Sequence, residues 1–172
     1  MRVLLTILLL AWLAIGSIWS NRTFCAKKTK TKAATTAAAA ASGGSDCGLM
    51  FHDGDAFKAS SNTNFRFHFG SADLVNTPEG DFYDVLQKAT EYLATDADKT
   101  ILIEGQYYEN EKNPEEFDNI GLARASKIKG YLVDEFLVDD TQIKLGSAIT
   151  SGCYNKNNKL LGRGATVTFG TK

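Results

Sequence analysis

Residues 27–45 (KKTKTKAATTAAAAASGGS) contain no aromatic residue and no aliphatic side chain larger than alanine. Such a stretch has nothing to bury and cannot contribute to a core. It therefore divides the 172-residue chain into an apolar segment before it and a single folding unit after it, since domains typically hold about 100–200 residues. The sequence predicts a membrane anchor over residues 1–24, a low-complexity tether over 25–48 and one globular domain over 49–172. The alanine run at 37–41 falls short of the ~12 residues at which even alanine-rich helices become marginal in water. Extended at roughly 3.3–3.6 Å per residue, the tether would span some tens of ångströms.

Residues 3–19 (VLLTILLLAWLAIGSIW) form a charge-free run of seventeen residues, at the short end of the ~17–25 that cross a bilayer core as a helix. The run ends in Ile18, Trp19, Asn21 and Arg22, without the small residues of a cleavage site, so it is expected to stay on as an anchor. Cys25 follows Arg22-Thr23-Phe24, not the small and aliphatic pattern of a lipidation signal, and lipidation is not expected.

Charge divides at the same boundary. Arg2, Arg22, Lys27, Lys28, Lys30 and Lys32 precede the first acidic residue, Asp46, leaving thirteen basic residues against all twenty acidic ones in the remainder. An acidic domain argues against a nucleic-acid partner. The basic residues after the apolar run favour a cytoplasmic C-terminal side by charge alone, in conflict with the placement reached below.

In the domain, NFRFHF at 64–69 alternates Phe65, Phe67 and Phe69 with Arg66 and His68, the period of a strand with one face inward. Thr77-Pro78-Glu79 predicts a helix opening with a hydroxyl cap and a proline in the first turn. Phe82, Val85, Leu86, Ala89 and Leu93 mark its buried face. Residues 99–105 read as a buried strand, 119–136 as a helix through Ile120, Ala123, Ile128, Tyr131 and Leu132, 142–149 as a third strand and 165–169 as a fourth. This β-α-β-α-β-β order implies an α/β (α+β) sandwich, with helices on one face of a mixed sheet.

Three cysteines and two distant histidines, His52 and His68, offer no zinc spacing, and neither a metal nor a cofactor is expected. Outside the cytoplasm, Cys47 and Cys153 are either a disulfide pair or two unpaired small residues. Glu104, Glu109, Glu111, Glu115 and Glu116 are acids without a neighbouring nucleophile or paired histidine, and no nucleophile elbow, phosphate loop or zinc-protease motif is present. The chain is not expected to be an enzyme.

The order of elements, with GQYYEN at 105–110 and IGLARASKIKGYL at 120–132, resembles the OmpA-like C-terminal domain family over roughly 65–169. It particularly resembles the divergent, singly anchored members from Bacteroidota, in which a sequence like IGLARA replaces L-S-x-x-R-A and a GDAF-like stretch (54–57) precedes the first strand. Standard members hold the diaminopimelate side chain of peptidoglycan between an Asp from a G-x-T-D loop and the Arg of L-S-x-x-R-A. A zwitterion needs both charges, and a guanidinium fork suits its carboxylate end.

The resemblance places Arg124 on the family arginine but puts Tyr108 where the aspartate stands and Phe117 at an asparagine. The family's later arginine pair is reduced to Arg163. Either Glu109 or Glu111 substitutes for the missing acid, or the ligand is no longer bound. Arg124 itself reads as a ligand-binding cation or as a structural arginine. Tyr107 and Tyr108 read as stacking surfaces for a sugar or as cover for the sheet edge.

The resemblance implies a periplasmic domain held at the inner membrane rather than the outer, with residues 3–19 in the lipid bilayer. Its partner is peptidoglycan, bound noncovalently, or, if that activity has been lost, another protein of an envelope complex.

Overall fold

The computed structural model describes residues 47–113 and 116–172. The expected anchor and most of the expected tether lie outside the described residues, among which no helix is long and apolar enough to cross a membrane.

The first element is a hairpin that the sequence pattern had left unassigned. Strand β1 (Leu49–Asp53) pairs antiparallel with β2 (Phe57–Ser61), with Phe51 opposite Ala59. Gly54 turns the chain with φ 53, a conformation cheap only for glycine. Leu49 and Phe51 are buried while Met50 and His52 face outward, the two-residue alternation of a strand covering a core.

The aromatic alternation at 65–69 is real, but the regular strand is shorter than its pattern. Phe65 and Phe67 are fully buried and Arg66 and His68 exposed, yet β3 covers only Phe67–His68. Side chains replace the ladder on either side. Asn76 Oδ1 accepts from the Arg66 N–H and Asn76 Nδ2 donates to the Asn64 carbonyl, while Asn64 Nδ2 donates to the carbonyls of Gly48 and Ala165. Local carboxamides thus satisfy backbone groups that a longer strand would have paired.

The same staple corrects the predicted helix start. Val75 N–H donates to the Arg66 carbonyl, keeping the chain tied to the 64–66 segment. Helix α1 opens only at Asp81 and runs to Ala94, with Gly80 rather than Thr77 at its N-cap and no side-chain cap. Asp81 and Asp84 lie in its first turn, where negative charge favours the helix dipole. Phe82, Val85, Leu86, Ala89 and Leu93 are all buried.

Strand β4 (Lys99–Tyr107) is two residues longer than predicted and forms the centre of a three-stranded mixed sheet. It runs parallel to β5 (Ile143–Ile149) and antiparallel to β8 (Ala165–Thr171). Between β5 and β8, β6 (Tyr154–Asn155) and β7 (Leu160–Leu161) pair with each other, and β7 pairs with β3. The expected single sheet is therefore three: the β1–β2 hairpin, the β3–β7–β6 ribbon and the β5–β4–β8 sheet.

Helix α2 (Ile120–Phe136) is capped by Asn119, whose side chain accepts from the Leu122 N–H. Its first turn lies directly on β4, because a Cβ on Gly105 would collide with the Gly121 carbonyl. Two glycines thus let backbone meet backbone and fix the next helical turn above the end of β4. The mixed α/β class is as expected from sequence. One core joins Phe65, Phe67, Phe82, Leu86, Ile103 and Ile128 with the buried residues around them.

Candidate functional site

Arg124 lies one turn into α2, and its side chain passes under the chain that follows β3 to the end of β4. All five guanidinium N–H donors find acceptors. Nε donates to the Ser71 carbonyl at 3.0 Å, Nη1 to the Gln106 carbonyl at 2.8 Å and Nη2 to the His68 carbonyl at 3.0 Å. The remaining two form a fork on Glu111, with Nη1–Oε2 at 2.9 Å and Nη2–Oε1 at 2.6 Å. The guanidinium carbon also lies 5.2 Å from the centre of the Phe67 ring, within cation–π range.

Glu111 is satisfied just as fully. Oε1 accepts from the Gly70 N–H and Oε2 from the Tyr108 N–H, each at 2.8 Å. Each oxygen therefore has two donors. Both side chains of the pair are wholly buried. Burial alone would raise the Glu111 pKa, but hydrogen bonds from Arg124, Gly70 and Tyr108 and the charge of Arg124 outweigh it, holding the carboxyl below its ordinary range. The shape around the pair is that of a pocket for one carboxylate.

The residues singled out from sequence divide around this pair. Of the two acids offered as substitutes for the missing aspartate, Glu111 meets Arg124 and Glu109 is exposed. Tyr108 contributes its backbone N–H to the pocket, while its hydroxyl donates to the Gly152 carbonyl. Its ring packs with Phe69 and Tyr154 at centroid distances of 6.4 and 5.3 Å, and burial, then the Glu111 charge, pushes its phenol pKa up. Tyr107 is half-buried beside Gly121. Phe117 and Arg163 are half-buried. Glu104 accepts from the Thr166 hydroxyl, and Glu116 is exposed. Glu115 lies outside the described residues.

Sequence reasoning missed the backbone half of the pocket. The N–H groups of Gly70 and Tyr108 and the carbonyls of His68, Ser71 and Gln106 are available at any residue type. Only Gly70, at φ 76, leaves a sequence trace, a glycine closing the aromatic alternation.

Cys47 and Cys153, left open as a pair, are joined by a disulfide with Cα atoms 5.7 Å apart. The bond ties the entry of the described chain to the loop that carries Tyr154. Among the described residues, no cluster of histidine, cysteine and acidic side chains could hold a metal.

No family model matches the chain, and no curated protein matches it. Among solved structures it is similar to the peptidoglycan-associated lipoprotein from Burkholderia pseudomallei, with 20% identity and a TM-score of 0.46. That similarity covers 63% of this chain and 90% of the lipoprotein chain.

Proposed function

We propose that this chain is a cell-envelope protein whose folded domain associates noncovalently with peptidoglycan and ties it to a membrane. The observation that supports this reading is the pocket itself. A guanidinium fork and two backbone N–H groups converge on one carboxylate, the arrangement that recognises the carboxylate end of an amino-acid side chain. In the domain's resemblance to the Bacteroidota type of OmpA-like protein, Arg124 falls on the family's ligand arginine. Residues 3–19 supply the inner-membrane anchor, residues 27–45 the tether, and the domain lies in the periplasm. The function needs no catalytic group.

A second reading has its own observation. Tyr108 stands at the family aspartate, and Glu111 fills the fork that a ligand would use. On this reading the domain is a protein-interaction module of an envelope complex.

Retention of the full-length chain on purified sacculi, beside Arg124→Lys, separates the two. The lysine keeps the charge but loses the fork, so wall binding predicts at least about tenfold weaker retention of the variant. Equal and negligible retention of both proteins sinks the wall reading. A reporter fused after Lys172 that is active only in the cytoplasm overturns the periplasmic placement.

A further inference from the structure

The two halves of the buried ion pair are held in different ways. Arg124 is built into the domain: it stands on a helix packed backbone-to-backbone on β4 and is fixed by three carbonyls from two other segments. Glu111 belongs to the chain leaving β4. In residues 109–113 it alone is buried, while Glu109, Asn110, Lys112 and Asn113 are exposed. The Glu111 N–H bonds only three residues back, to the Tyr108 carbonyl. Asn113 Nδ2 donates to the Asp118 carbonyl within the same connection ahead of α2, so among the described residues 109–113 the Glu111 carboxylate is the side chain that reaches the buried core.

We propose that Glu111 is an exchangeable occupant of a carboxylate-binding pocket, a latch that an incoming carboxylate displaces. The receiving donors remain when it leaves. Arg124 keeps its three carbonyl bonds and offers its two remaining N–H groups, and Gly70 and Tyr108 offer theirs. Charge is conserved in the completed exchange, one carboxylate leaving as another enters, so the guanidinium is paired at both ends of it and lacks a carboxylate only in the transient open state. The exposed neighbours of Glu111 leave with it without removing other side chains from the core. An intramolecular occupant competes at an effective concentration of about millimolar or above, so an external carboxylate alone is a weak competitor and a true ligand must add contacts of its own. The identification of that ligand as a peptidoglycan stem rests on the proposed function; the latch does not.

Two measurements on the full-length chain in detergent micelles test the latch. In native-state hydrogen exchange of the wild-type protein, the amides of Gly70 and Tyr108 should exchange through one shared opening, at least about tenfold faster than the Ile103 amide of the central strand. Exchange of both only with global unfolding overturns the proposal.

The second measurement removes the occupant. Glu111→Ala should unfold at lower temperature than wild type and regain about 3 °C in 200 mM sodium acetate relative to sodium chloride of equal ionic strength. Neither wild type nor the double variant Glu111→Ala/Arg124→Gln should respond. An acetate response absent from Glu111→Ala, or equal in all three proteins, overturns the pocket. Should Glu111→Ala fold in neither salt, the wild-type exchange rates decide. Failure on sacculi with an intact acetate response removes the wall reading and leaves the latch standing.

Discussion

The β5–β4–β8 sheet and the segment from Asn64 to Asn76 both bury peptide groups, and both must hydrogen-bond them. The sheet does so through a continuous ladder, from Ile101 opposite Ile143 to Gly105 opposite Ala165. The second segment has only two residues of regular strand; some of its other groups bond to backbone, as Phe69 N–H does to the Lys159 carbonyl, and others depend on the side chains of Asn76, Glu111 and Arg124. In the sheet, a side chain can change while the backbone remains paired. In the second segment one substitution orphans several main-chain groups at once, so its stability is concentrated in a few polar residues.

The largest expected effect bears on the disulfide that ties the entry to β1 to the loop before β6. Replacing Cys47 and Cys153 together by alanine opens a loop with a sequence separation of 106. On the chain-entropy model this lowers stability by up to about 4–5 kcal/mol, measurable as a shift in denaturant midpoint. Hydrogen exchange should show the β3–β7–β6 ribbon loosening before the β5–β4–β8 sheet. Simultaneous loosening of both would erase the distinction drawn here.

Next in size, Arg124→Met should cost about 3–5 kcal/mol by leaving a buried carboxylate unpaired and orphaning the carbonyls of His68, Ser71 and Gln106. The same pair makes stability depend on pH. Because the folded Glu111 pKa is depressed, its contribution is fully present above the ordinary carboxylate range and is lost as pH falls through the lower folded value. A urea midpoint series from neutral to acid pH should show a steeper loss in wild type than in Glu111→Gln, where the lowered carboxyls of Asp53 and Asp139 remain.

Asn76→Ala removes the acceptor of the Arg66 N–H and the donor to the Asn64 carbonyl, and should cost about 1–2 kcal/mol. A loss within experimental error would mean that water replaces the carboxamide. The smallest effect runs the other way. Leu137 ends α2 at φ 56 with 86% of its surface exposed, so Leu137→Gly relieves a left-handed conformation without emptying the core. Its thermal midpoint should rise by the equivalent of about 0.5–1 kcal/mol.

The same contrast explains what was legible beforehand. Both helices and strands β4 and β8 follow hydrophobic patterning, and Phe82 to Leu93 and Ile120 to Leu132 lie on the faces their spacing predicts. The irregular region obeys no period. Thr77-Pro78-Glu79 has the composition of a helix start, but the Asn76 staple and the Val75 bond tie the chain just before it to residues 64–66, and α1 waits until Asp81. The β1–β2 hairpin is hard to read because its strands are only five residues each, although β1 alternates buried Leu49 and Phe51 with exposed Met50 and His52. At the pocket, charge and family position made Arg124 and Glu111 candidates. Their mutual fork depends on chain geometry between residues 107 and 124, and its other contacts are peptide groups that carry no residue-type signature.

The disulfide also sets how the domain bears load. A pull applied at residue 46 reaches Cys47 and passes through the sulfur atoms to Cys153, so the intervening chain, with β1, β4 and α2, is bypassed and cannot be paid out. With the far end held at Lys172, only residues 154–172 can lengthen, and their main resistance is β8 running antiparallel along β4. Tension then acts along β8 and loads its hydrogen bonds to β4 in shear together, rather than peeling the N-terminal hairpin open one pair at a time.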